Sequence, residues 1–135
     1  MPALAADRNT PEREGSIRVF DVAASTRIFI GALVVLNAGN AAPGSTATGL
    51  VAVGRAEEPV DNSAGAAGDK QVKVRSGTFR FNNSAGGDAI AAADIGSTCY
   101  VVDDQTVAKT DGTGTRSAAG TVFDVDDQGV WVTVG

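Results

Sequence analysis

Most residue types that do chemistry are scarce in this chain. It has no histidine, which removes the commonest general base and metal ligand. Its one cysteine, Cys99, cannot form an internal disulfide or a thiolate zinc site alone. Cys99 precedes Tyr100 in an apolar run and reads as a buried, inert thiol. Carboxylates occur as the pairs Glu57-Glu58 and Asp103-Asp104. Two carboxylates can hydrolyse glycosides, but neighbours on a strand point to opposite faces. One Trp and one Tyr are also few for a carbohydrate site. Asp124 to Gly129 (DVDDQG) resembles the front of a calcium loop, with Gln128 at the third ligand position and Gly135 where a bidentate Glu belongs. Gly44 to Gly49 has phosphate-loop spacing, yet Leu50 and Val51 replace the required Lys and Ser/Thr. The expectation is a protein that is not an enzyme and needs no metal or cofactor.

The elements that would position these residues are β-strands. Of the 34 larger apolar residues 17 are valine and only four are leucine. β-Branched side chains are stiff at χ1 and suit pleated sheet. The 17 glycines read as turns and bulges. A chain of 135 residues fits one domain, with roughly two thirds of its unfolded surface buried on folding. The net charge of −5 and the scattered Lys and Arg argue against nucleic acid as a partner. The longest apolar run, Ile28 to Leu36, spans nine residues, too short for a membrane helix, and the N-terminus lacks a signal-peptide pattern.

Residues 1–15 carry Pro2, Pro11 and five charges without apolar periodicity, and read as an extended arm. Residues 16–135 read as a single β-rich domain: a small sandwich or barrel of about nine short strands with at most one short helix. Expected strands include Ile17–Val22, a segment with Ile28 and Ile30 facing together and Phe29 opposite, and Leu50–Val53. Leu33 to Leu36 reads as a strand covered on both sides. Segments 37–49 and 56–69 read as loops. Gln71 to Phe81 reads as a long strand in which Phe79 and Phe81 are out of phase with Val72 and Val74, implying a bulge or bend at Ser76-Gly77. A helical turn capped by Asp88 is expected within 89–95.

Two hairpins close the chain, one around Asp103-Asp104-Gln105 and one around Asp126 to Gly129. They share the pattern Val-Asp-Asp-Gln-x-Val, which tight-turn chemistry accounts for. Trp131, opposite in phase to Val130 and Val132, reads first as a core residue and second as an interface anchor.

Val74-Arg75-Ser76-Gly77-Thr78-Phe79-Arg80-Phe81 resembles a strand of the lambda-type phage head decoration proteins. The arm, the Gly49–Gly54 strand (GLVAVG) and the stretch from Ala93 through Tyr100–Asp104 to Val134 are similar in order and style to cement proteins of Mu-like and other tailed phages. The resemblance implies a structural virion protein made in the host cytoplasm. It would sit on the capsid exterior, as a trimer or alternatively a dimer, and stabilise contacts between major capsid protein subunits. It implies no nucleic-acid or membrane partner. Leu4, Arg8, Pro11 and Arg13 of the arm become capsid-binding candidates, and Arg75, Phe79, Arg80 and Trp131 interface candidates. The chain is longer than the lambda-type pattern, in its loops and C-terminal hairpins. The alternative is another virion β-module, a head-fibre or tail component that binds a receptor or glycan.

Overall fold

The computed structural model describes residues 3–10 and 15–135. These form an all-β fold of twelve strands: β1 (Ile17–Asp21), β2 (Thr26–Ile28), β3 (Leu33–Asn37), β4 (Asn40–Pro43), β5 (Val51–Ala56), β6 (Val60–Asn62), β7 (Gln71–Arg75), β8 (Gly77–Asn83), β9 (Thr98–Val101), β10 (Thr106–Ala108), β11 (Ala118–Asp126) and β12 (Gly129–Val134). One sheet has the order β1-β7-β5-β3-β4, and all its neighbours are antiparallel. Just past β1, Val22 bridges Ala41 in parallel, and the Ala23 N–H donates to the Ala41 carbonyl at 3.0 Å, so the two sheet edges meet at one end. The second group, β10-β8-β12-β11-β9, is a closed barrel, with one parallel contact between β8 and β10. Closure leaves no open edge to be protected. A small ribbon pairs β2 with β6.

Each group has its own core. Val22, Ile28, Val34, Val53, Val60, Val72 and Val74 fill the sheet side. Phe79, Phe81, Cys99, Val101, Val107, Val122, Val130, Val132 and Val134 fill the barrel. Strand β3 stands between them: Leu33 and Val35 belong to the barrel core, and Val34 to the sheet core. Its continuous apolar run therefore is covered on both faces, as expected.

The expected break at Ser76-Gly77 is real, but its consequence differs. Expected as one bent strand, 71–81 is two strands in two sheets. Val72 and Val74 face one core, Phe79 and Phe81 the other. The phase change marks the crossing between cores rather than a repair of register within one strand.

Other expectations need correction. The strand count rises from about nine to twelve because segment 71–81 is two strands and the supposed loops contain β4 and β6. A short helical turn does lie within 89–95, the 3₁₀ turn Ala92–Asp94, and a second one, Gly86–Asp88, precedes it. Asp88 caps neither; its carboxylate accepts from Thr110 and Arg116. Ile28 is buried, whereas Ile30 lies outside β2 and is 64% exposed. Trp131 is half-buried on the outside of the barrel and does not fill a core.

The loop between β4 and β5 ties the two groups together. Thr46 Oγ1 donates to the Val102 carbonyl at 2.7 Å. Ser117 Oγ accepts from Leu50 N at 3.0 Å and donates to the Ala47 carbonyl at 2.7 Å. The segment with phosphate-loop spacing is thus a structural tie.

Candidate functional site

Residues 3–10 belong to no strand or helix and are all exposed, Leu4 and Arg8 among them, with Leu4 at 74%. Pro11 and Arg13 lie outside the described residues. Strand β1 begins at Ile17, next to the point where the Ser76 N–H donates to the Ser16 carbonyl at 2.8 Å. Beside that anchor, register places Ile17, Arg75, Arg55 and Leu33 in one row across β1, β7, β5 and β3.

Within this row the fold concentrates arginines that are scattered in sequence. Glu57 Oε1 accepts from Arg55 Nη2 at 2.8 Å and from Arg75 Nε at 3.2 Å. The Arg55 hydrogen bond is the main reason the Glu57 carboxyl titrates below its ordinary value; burial opposes this, and both guanidinium charges reinforce it. One carboxylate between two guanidiniums leaves a net positive charge. Arg55 also stacks over Phe79, 4.3 Å from its ring centre. Phe79 is therefore a core residue capped by an arginine.

Arg80 and Trp131 face each other across β8 and β12. The Arg80 guanidinium lies 5.7 Å from the indole centre. The Trp131 Nε1–H donates to Asp126 Oδ2 at 2.9 Å, and Asp126 Oδ1 accepts from Gln128 N at 2.8 Å. These bonds, the indole first, lower the Asp126 pKa. They also engage both oxygens of the central aspartate of the calcium-like segment in the β11–β12 turn. Among the described residues no cluster of three His, Cys, Asp or Glu could hold a metal ion.

The chain from β2 to β3 supplies the apolar part. Phe29 and Ile30 are 56% and 64% exposed. They sit on a tight turn in which the Ala32 N–H donates to the Phe29 carbonyl at 3.2 Å. Gly31 has φ of +85°, the left-handed conformation a type II turn needs at its third position. The Gly31 N–H donates to the Ala56 carbonyl at 3.0 Å, and Ala56 N–H returns to the Ala32 carbonyl at 2.9 Å. Arg27 stacks over Phe29 at 4.8 Å. Gly31 borders three shallow hollows of about 430, 290 and 420 Å³. The first is lined by Phe29, Ile30, Asp104 and Gln105, the second by Ile30, Arg55 and Glu57, and the third by Arg55, Thr78, Arg80 and Trp131.

The fold thus brings Arg75, Phe79, Arg80 and Trp131 to one side of the molecule through Arg55 and Gly31, and leaves Leu4 and Arg8 exposed. Sequence reasoning missed Arg55, Glu57 and the Phe29–Ile30 turn. The Phe-Ile-Gly triplet was the available signal, since glycine after two large apolar residues can close a turn that leaves them outside. Cys99 is fully buried, and desolvation pushes its thiol up to about 11, so it is protonated at neutral pH. No helix of the described residues is long and apolar enough to cross a membrane. Fold and surface define a small all-β protein whose candidate site is an open face. In comparisons with known proteins, no family model, curated sequence or solved structure matches the chain.

Proposed function

We propose that this chain is a capsid decoration protein of a tailed phage: a structural, non-enzymatic protein that binds the outer surface of the shell and stabilises contacts between major capsid subunits. The observation that carries the reading is the division between segment 3–10, exposed at every residue, and a β-body built on two cores. An arm of this kind loses conformational entropy when it orders on a partner, so it needs many repeated contacts. An icosahedral shell supplies them, and a trimeric or dimeric protein multiplies the effective concentration. The segment from Val74 to Phe81, which carries the resemblance to the lambda-type proteins, spans the crossing between the two cores.

Deleting residues 1–15 tests the reading. The truncated protein keeps its thermal unfolding transition and loses occupancy on expanded capsids, measured by cosedimentation. Unchanged occupancy overturns the role given to the arm. A second reading, a fibre or tail module that binds a receptor or glycan, draws on the partly exposed indole of Trp131. Copy number separates the two: a decoration protein is present in hundreds of copies per particle and a fibre in a few.

A further inference from the structure

We infer that the open edge of β1 pairs with the same edge of a second copy, antiparallel about a two-fold axis at Ile17, so that the five-stranded sheets of two molecules become one continuous sheet. The inference goes beyond the decoration reading and does not rest on it. Three observations carry it. The first is the direction of the backbone. The Ser76 N–H donates to the Ser16 carbonyl, and the Val22 N–H donates to the Lys70 carbonyl at 2.9 Å. Antiparallel alternation between these two bonds turns the backbone of Arg18 and Phe20 towards β7 and that of Ile17 and Val19 away from it. β1 is the end strand of its sheet, and among the described residues no group pairs with the outward Ile17 and Val19 backbone. A row of unpaired donors and acceptors is a template for another strand, so the edge itself specifies the kind of partner that covers it.

The second observation is that the fold blunts its other long edges and leaves this one bare. The barrel is closed. At the opposite edge of the sheet, the bond from the Gly44 N–H to the Leu33 carbonyl sets the phase, so β4 turns Ala41 and Pro43 outward. The Ala41 carbonyl is taken by Ala23, and proline has no N–H to offer. Open edges are commonly protected by lysine, proline or a bulge. The open stretch of β1 has none of these: its register with β7 is unbroken, and it exposes Ile17 at 42% and Val19 at 55%.

The third is self-complementarity, which makes the partner a second copy. A two-fold axis at Ile17 sets Ile17 against Ile17 of the second copy, and Val19 of each copy against Gly15 of the other. These residues share the outward phase, which gives about six backbone hydrogen bonds. The space beside the Gly15 Cα is open and receives the Val19 side chain. Arg18 stands opposite Ser16, so no like charges are opposed. The neighbouring registers fail. An axis at Arg18 sets two guanidiniums directly opposite each other. An axis at Val19 needs the Asp21 backbone, beside the point where Val22 bridges Ala41 and the β3–β4 hairpin closes the edge.

The test is sedimentation equilibrium of the full-length protein over a concentration series, without capsids, and a monomer–dimer equilibrium is expected. Val19→Pro keeps the bonds to β7, because the N–H it removes points outward, and takes one donor from each copy. Ile17→Lys places two ammonium groups at the axis. Each weakens association about tenfold or more. Val51→Lys, at an exposed valine two strands away on β5, leaves association unchanged. Thermal unfolding of each variant checks that it is folded. Amide hydrogen exchange on the wild type gives an answer that no variant can confuse: the Ile17 and Val19 amides slow as concentration rises. A chain that is monomeric at every concentration overturns the inference, whatever else the edge then binds. A dimer whose Ile17 and Val19 amides exchange at an unchanged rate, or one that both folded variants leave intact, places the contact elsewhere and overturns it as well.

Discussion

Glu57 shows how one side chain organises a surface that the sequence leaves dispersed. Arg55 and Arg75 lie side by side in register on β5 and β7, and two like charges so placed repel. The carboxylate between them offsets that repulsion and fixes both guanidiniums. Its pKa is lowered from 4.5, so the ionised form is favoured in the folded state. A depressed carboxylate contributes stability above its unfolded pKa, and that contribution is lost as pH falls through the folded value. Glu57→Gln should therefore melt below wild type at pH 7, with the gap closing as pH drops below about 4.5. Paired thermal melts across pH 7 to 3 measure this; a gap independent of pH would assign the loss to packing rather than charge. The lowered pKa values of Asp61, Asp88 and Asp126 add to the acid sensitivity of both proteins alike and cancel in the comparison.

Between elements, joints matter more than strands. Ser117 is a buried polar residue at the seam, and its hydroxyl serves Leu50 N and Ala47 O together. Ser117→Ala leaves both backbone groups without that partner and should cost about 1–3 kcal/mol in chemical denaturation. Thr46→Ala removes one exposed bond to Val102 and should cost less. A loss no larger for Ser117 than for Thr46 would show that water replaces the seam bonds. Such joints were the least legible part of the sequence. Strands with strong β-formers were readable: the β9–β10 and β11–β12 hairpins lie around Asp103–Gln105 and Asp126–Gly129 as the turn chemistry suggested. The apolar run of β3 announced its two covered faces. Strand β4, Asn-Ala-Ala-Pro, has no β-forming side chains and exists through its pairing with β3. Strand β6 is likewise set by its partner β2. Local propensity is silent where pairing decides. The same limit hid the candidate site: Arg55, Arg75 and Arg80 become neighbours only after the chain crosses from sheet to barrel at Ser76. Trp131 was misread because alternation tells which residues share a face, and the outer face of a closed barrel is still half-covered by neighbouring side chains.

At the scale of the whole molecule, two cores raise the question of whether they unfold together. Strand β3 contributes Leu33 and Val35 to one core and Val34 to the other, so neither core can be dismantled without stripping a wall from its neighbour. Strands β7 and β8 are separated only by Ser76, which links the two groups covalently at a second point. Gly135 sits against Ser76 and the Val53 carbonyl, which brings the end of β12 onto the sheet group as well. These shared parts predict one cooperative transition. Trp131 makes this measurable, because the only indole is carried by β12 of the barrel. Val72 is fully buried in the sheet core. Val72→Ala should cost about 1.5–3 kcal/mol through lost burial and the cavity left behind. In a coupled molecule the Trp131 fluorescence midpoint shifts as far as the far-ultraviolet circular dichroism midpoint, although the substitution lies in the other core. In a molecule of independent halves the circular dichroism curve splits and the fluorescence midpoint stays where it was. In the proposed decoration role this coupling has a mechanical meaning. Force entering at the arm root passes through β1 and β7 into β8, so a body that yields as one unit resists it with the stability of both cores.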